Sequence, residues 1–67
     1  MPAPSEGPAA PAEFGRRLQR LRAERGLTQR ALAEPEYTAA YVSTLEAGKA
    51  RPSEAALRYL ADKLGLS

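Results

Sequence analysis

From Phe14 onward apolar residues return at helical intervals, and the punctuation between the returns marks out four helices. Phe14, Leu18 and Leu21 stand at i, i+4 and i+7, one stripe on a helix predicted from Ala12 or Glu13 to Arg25, with Gly26 ending it. A second helix is predicted from Gln29 to Glu34, with Leu32 and Ala33 inward and Thr28 as its N-cap. Pro35 stops it, because the ring cannot continue the hydrogen-bond ladder and restricts Glu34 before it. Thr38 caps a third helix over Ala39 to Ala47, with Val42 and Leu45 inward and Gly48 as a left-handed stop. Pro52-Ser53 opens the fourth, with Glu54 in its first turn, and Gly65 closes it. Its inner face is Ala56, Leu57, Leu60, Ala61 and Leu64. Phe14, Leu18, Leu21, Leu32, Val42, Leu45, Leu57, Leu60 and Leu64 are expected to form one cluster. The expected fold is all-α, a compact four-helix domain with a helix, a tight turn and a helix at its centre.

The third helix carries an unusual outer face. With Val42 at the centre of the inner side, steps of about 100° place Leu45 and Thr38 beside it and Ala40, Ser43, Thr44 and Ala47 opposite. These residues are small and uncharged. A solvated helix face would carry charge, as the fourth helix does with Arg58, Asp62 and Lys63. Methyls and hydroxyls suit close approach, either to base-pair edges in a major groove or to another protein surface. Gln29 and Arg30 lie at the amino end of the second helix, where free amides and the helix dipole favour a phosphate oxygen.

Composition narrows the classes. A chain of 67 residues is one small domain at most. It has no cysteine and no histidine, which excludes disulfides, a catalytic triad, a cysteine nucleophile and a usual zinc site. No catalytic residue, metal or cofactor is expected. Net charge is only +2, although the isoelectric point is about 9.4, so placement of charge matters more than its total. Arg16, Arg17, Arg20, Arg22 and Arg25 surround the first helix's stripe, as a phosphate-binding face or a solvated one. The spacing of Glu13 to Arg17 and of Arg20 to Glu24 favours local pairing and the solvated reading. Residues 1–12 hold four prolines among small residues and are expected to be a disordered Pro/Ala-rich tail, leaving 13–67 as the domain. The tail lacks the arginines of a minor-groove arm. No apolar run approaches the ~20 residues of a membrane span, and a signal-peptide core is missing, so a cytoplasmic location without a membrane partner is expected. The bias toward Ala, Arg, Gly and Pro fits a GC-rich bacterial genome.

Gly26-Leu27-Thr28-Gln29, Leu32-Ala33, Val42-Ser43, Glu46-Ala47-Gly48, Pro52-Ser53 and Leu57…Leu60-Ala61…Leu64-Gly65, in that order, resemble the helix-turn-helix domains of phage repressors and Cro. This is the lambda-repressor-like, or xenobiotic-response-element, family. The resemblance runs from about Phe14 to Ser67 and lies in the ordered series, since no single tetrapeptide is specific. It departs at the turn, where the family has a glycine and a small aliphatic residue. Here Glu36-Tyr37 stands in a segment one residue shorter.

The resemblance implies sequence-specific binding of double-stranded DNA by the N-terminal domain of a bacterial transcriptional regulator, with the helix over 38–47 in the major groove. Thr38, Ala40, Ser43 and Thr44 then face the bases, with Ala39 and Tyr41 at the rim; Tyr41 is equally placed to pack in the core. It also implies a backbone contact for Gln29, which could otherwise be a surface side chain. Lys49 and Arg51 would hold phosphates from the loop after Gly48, alongside Arg30. Arg22 would pair with Glu46, which the helical wheel turns toward the core beside Val42. The family's fifth helix, opening here at Ser67, usually completes the core or makes the dimer contact. A homodimer on a two-fold site is therefore expected, through a region absent or incomplete in this chain. The base-facing set lacks the Arg, Asn and Gln that make bidentate base contacts, which leaves hydroxyls, methyl contacts and DNA shape. The alternative is a helical protein–protein interaction module with the same fold. DNA binding weakens steeply with salt and an apolar dock does not.

Overall fold

The computed structural model of the chain describes residues 11–66 and places four helices among them, with no strand. They are α1 (Pro11–Glu24), α2 (Gln29–Ala33), α3 (Ala39–Glu46) and α4 (Glu54–Lys63). Residues 1–10, most of the expected tail, lie outside the described residues, as does Ser67, the expected cap of a fifth helix. Pro11 and Ala12 already belong to α1. A proline is compatible with a first helical position, where its missing N–H has no intrahelical partner to lose.

Three of the four starts are fixed by one device. Thr28, Thr38 and Ser53 have extended backbones, and each hydroxyl accepts a hydrogen bond from the amide three residues on. These amides are Ala31 at 2.9 Å, Tyr41 at 3.1 Å and Ala56 at 3.0 Å. Each cap satisfies one of the otherwise orphaned donors of the first turn, an effect of ~1 kcal/mol. Gly48, at φ +77°, turns the chain out of α3 in a conformation that a side chain disfavours.

The core is centred on α3. Val42 and Leu45 are fully buried there, with Leu32 and Ala33 from α2, Leu18 from α1, and Leu60 and Leu64 from the end of the chain. Phe14 and Leu21 pack against this cluster from its rim. α1 reaches α3 through Gly15: a Cβ there would sit 2.5 Å from the carbonyl oxygens of both Leu45 and Glu46. The absent side chain lets two helix backbones touch.

Leu57 departs from the expected cluster. It is 37% exposed, and Leu66 is 50% exposed. Ala56, Leu60 and Leu64 repeat every four residues and take the inward side of α4. Leu57 lies one step of about 100° round from Ala56, on a flank left partly open to solvent. With Phe14, Leu18, Leu21 and Leu66 it borders a shallow apolar groove between α1 and α4.

The turn between α2 and α3 is held by aromatic packing. Tyr37 stacks on Tyr41 at 5.0 Å and meets Tyr59 of α4 edge-on at 5.3 Å. Lys63 lies 5.7 Å from the centre of the Tyr59 ring and donates a hydrogen bond of 2.8 Å to the Glu34 carbonyl. Arg25 ties the other side of α4 by donating to the Leu64 carbonyl. The large residue at position 37, where the resembled family is small, is therefore a packing element of the turn.

Two stability predictions follow from this geometry. Replacing a helical glycine by alanine ordinarily adds up to ~1 kcal/mol. At Gly15 the new methyl would meet two backbone oxygens that cannot rotate away, an overpacking cost of ~1–3 kcal/mol. Gly15→Ala should therefore lower the melting temperature followed by circular dichroism, and an unchanged or raised value would refute the close crossing. Leu45→Ala should cost ~2–5 kcal/mol, enough to unfold so small a domain. Leu57→Ala should lose far less in the same melt.

Candidate nucleic-acid interface

α3 ends in a carboxylate that organises its surroundings. Glu46 is held bidentately by Arg22 of α1, through Nε at 2.6 Å and a terminal nitrogen at 3.1 Å. The other terminal nitrogen of Arg22 donates to the Leu27 carbonyl at 2.9 Å. Gln29, at the start of α2, donates its side-chain amide to Glu46 Oε1 at 3.0 Å. The Arg22 side chain is 17% exposed and that of Glu46 only 5%. A planar guanidinium matches a carboxylate with two parallel bonds, which fixes orientation as well as distance.

The hydrogen bond to Glu46 raises the Arg22 guanidinium above its already high ordinary value; burial opposes the shift and the Glu46 charge adds to it. A cation whose folded pKa is raised contributes fully below its unfolded pKa. That contribution fades only as pH rises through the folded value, far above neutrality. The arginine half of the pair is thus charged at every ordinary pH.

The outer side of α3 is open. Thr38, Ala40 and Ser43 are exposed, and Ala39, Tyr41 and Thr44 are half-buried. Two of the three hydroxyls are already engaged. Thr38 Oγ1 accepts the Tyr41 amide, and Thr44 Oγ1 donates to the Ala40 carbonyl at 3.0 Å. Tyr41 stacks on Tyr37, so it belongs with the turn as much as with the outer face.

The charged candidates differ from one another. Lys49 and Arg51 are exposed in the loop after α3. Arg30 is exposed but forms an ion pair with Glu34 at 3.0 Å, one turn on in sequence. Gln29 is half-buried, with its amide nitrogen on Glu46. An amide nitrogen has two N–H groups, so one donor is still available. On α1, the expected pairs Glu13–Arg17 and Arg20–Glu24 are not formed: among the described residues the only ion pairs are Arg22–Glu46 and Arg30–Glu34. Exposed pairs gain little in water, so i,i+4 spacing alone does not decide which of them closes.

Gly15, the Leu27 carbonyl and the bond from Gln29 to Glu46 were not anticipated from sequence. Gly15 carried a signal, since an isolated glycine within an amphipathic helix calls for a packing reason. The other two depend on how α1, α2 and α3 converge, which spacing along one helix does not encode. No group of three or more potential metal ligands occurs among the described residues, and no helix there is long and apolar enough to cross a membrane.

Comparison with protein families matches residues 13–67 to a helix-turn-helix domain. Curated proteins and solved structures give no match.

The Arg22–Glu46 pair should show strong coupling in a double-mutant cycle of Arg22→Ala and Glu46→Ala measured by denaturant unfolding. Each single change strands a largely buried charge and should cost about 3 kcal/mol, against under ~1 kcal/mol for an exposed pair. Additive single-mutant effects would be incompatible with the bidentate geometry.

Proposed function

The chain belongs to the helix-turn-helix domain family, and from that premise we propose that residues 13–67 are the sequence-specific DNA-binding unit of a bacterial transcriptional regulator of the lambda-repressor-like kind. A helix-turn-helix domain is a DNA-binding fold, and its family is typically not enzymatic. The finer reading is carried by one observation: an open, uncharged face on α3, immediately followed by two exposed cations.

In this reading α3 enters the major groove. Thr38, Ala40, Ser43 and Thr44 approach base edges, with Ala39 and Tyr41 at the rim. Lys49 and Arg51 hold phosphates, and Gln29 offers its remaining amide hydrogen to another. Arg30 contributes less than its charge suggests, because Glu34 already neutralises it. The Arg22–Glu46 pair ties α1 to α3, and Gln29 on the same carboxylate ties α2 to α3, which together hold the reading face in position. A single small domain makes few contacts, so useful affinity comes from two copies on a two-fold site, inside the cell.

Binding curves at several salt concentrations test this, on a selected duplex and a scrambled one. Lys49→Ala should weaken binding to both and lower the logarithmic salt slope by about one unit. Thr44→Gln should change the preferred base at one position in each half-site and leave the slope alone. Equal losses on both DNAs from both variants would remove α3 as the reading element. Binding that ignores salt would point to a protein dock instead.

A further inference from the structure

The two ends of α3 are held by different helices. Its carboxyl end is tied to α1 through Glu46 and Arg22, and its amino end is tied to α4 through the turn. We propose that Tyr59 and Lys63 of α4 are positioning residues for DNA recognition: through Tyr37 they set the seat of the amino end of α3, and with it the selectivity of binding. This rests on the DNA-binding reading above and gives the two residues no contact with DNA.

The turn has little support of its own. α2 is five residues long, and the backbone polar groups that follow it have few partners within the turn. One is met locally, by the Tyr37 amide donating to the Ala33 carbonyl at 2.8 Å. Pro35 has no amide to offer. The Glu34 carbonyl accepts from Lys63 Nζ at 2.8 Å. The Glu36 amide donates to the Tyr59 hydroxyl at 3.4 Å, beyond the usual hydrogen-bond distance and correspondingly weak. The Tyr59 ring meets Tyr37 edge-on, and the Lys63 ammonium lies over that same Tyr59 ring. Tyr59 and Lys63, one helical turn apart on α4, therefore gather Glu34, Glu36 and Tyr37 onto one face.

What they gather is the start of the reading helix. Tyr37 precedes Thr38, the N-cap of α3, and its ring stacks on Tyr41 in the first turn. Stacked rings 5.0 Å apart move together, so a displaced Tyr37 carries the amino end of α3 with it. In helix-turn-helix recognition that end of the helix contacts base edges. The other end is pinned by the bidentate ion pair, so a shift at the amino end becomes a tilt. Lys49 and Arg51 follow the pinned end, and a tilt disturbs them less than it disturbs the base-facing residues. Loss of the support from α4 therefore lowers selectivity and leaves the salt dependence alone. The large ring at position 37, where the resembled family is small, makes this route a property of this chain.

The test measures binding of the whole chain and its variants to a selected duplex and a scrambled one. It is run at several salt concentrations, at a temperature where circular dichroism shows each variant folded. Lys63→Met removes the donor and the charge from an exposed side chain and keeps its length. It should weaken binding to the selected duplex about tenfold, the low end of what one mismatched base pair costs. Binding to the scrambled duplex and the salt slope should stay at the wild-type values. Tyr59→Leu should give the same selective loss, and Tyr59→Phe, which keeps the ring, should retain most of the selectivity. Combining Lys63→Met with Tyr37→Leu should add little to the worse single change, because both act through one seat. If Lys63→Met weakens both duplexes alike and lowers the slope by about one unit, Lys63 is a phosphate contact and the positioning role is overturned. Full selectivity in both the Lys63→Met and Tyr59→Leu proteins overturns it too, with DNA recognition left intact. A wild-type chain that binds neither duplex in a salt-dependent way removes the DNA reading itself.

Discussion

The Arg22 guanidinium is where three pieces of the molecule are made to agree. Its fork closes on Glu46 at the end of α3, its remaining nitrogen closes on the Leu27 carbonyl before α2, and Gln29 at the start of α2 closes on the same carboxylate. Each bond alone is modest, but the three share atoms, so none can shift without loosening the others. α2 has a single turn of ladder and could not fix its own direction. The network does that from outside, and α3 inherits the result.

Gly15 complements this arrangement from the other side. With no side chain there, α1 lies against the last carbonyls of α3, and the Arg22 side chain, two turns on along nearly the same face of α1, reaches Glu46. A larger residue would lengthen the crossing, and a bidentate contact tolerates little lengthening. The packing and the electrostatics are thus one constraint expressed twice.

Much of this fold was legible in the sequence because its helix boundaries are set by local chemistry. Thr28, Thr38 and Ser53 cap the helices they precede, and Gly26, Gly48 and Gly65 take positive φ at the ends they follow. The pairing of Arg22 with Glu46 came from the family resemblance together with the helical position of Glu46. What spacing did not supply was which flank of α4 would be sealed: Leu57 has the pattern of a core residue and stays 37% exposed. The same limit applies to charge. Glu13 and Arg17 have the spacing of a pair and do not close, whereas Arg30 and Glu34, also exposed, do, so spacing alone does not decide. The outer face of α3 was readable as a list of residues. That its Thr44 hydroxyl is turned back onto the helix was not, since rotamer choice depends on the folded backbone.

The tyrosine clasp has an optical consequence. The sequence holds three tyrosines and no tryptophan, and all three tyrosines meet at the turn between α2 and α3. Near-ultraviolet absorption and emission above the single phenylalanine's range therefore originate at one place, with two ring pairs close enough to couple. The domain carries its own spectroscopic gauge of how the turn before α3 seats against α3 and α4, undiluted by signal from another tyrosine or a tryptophan.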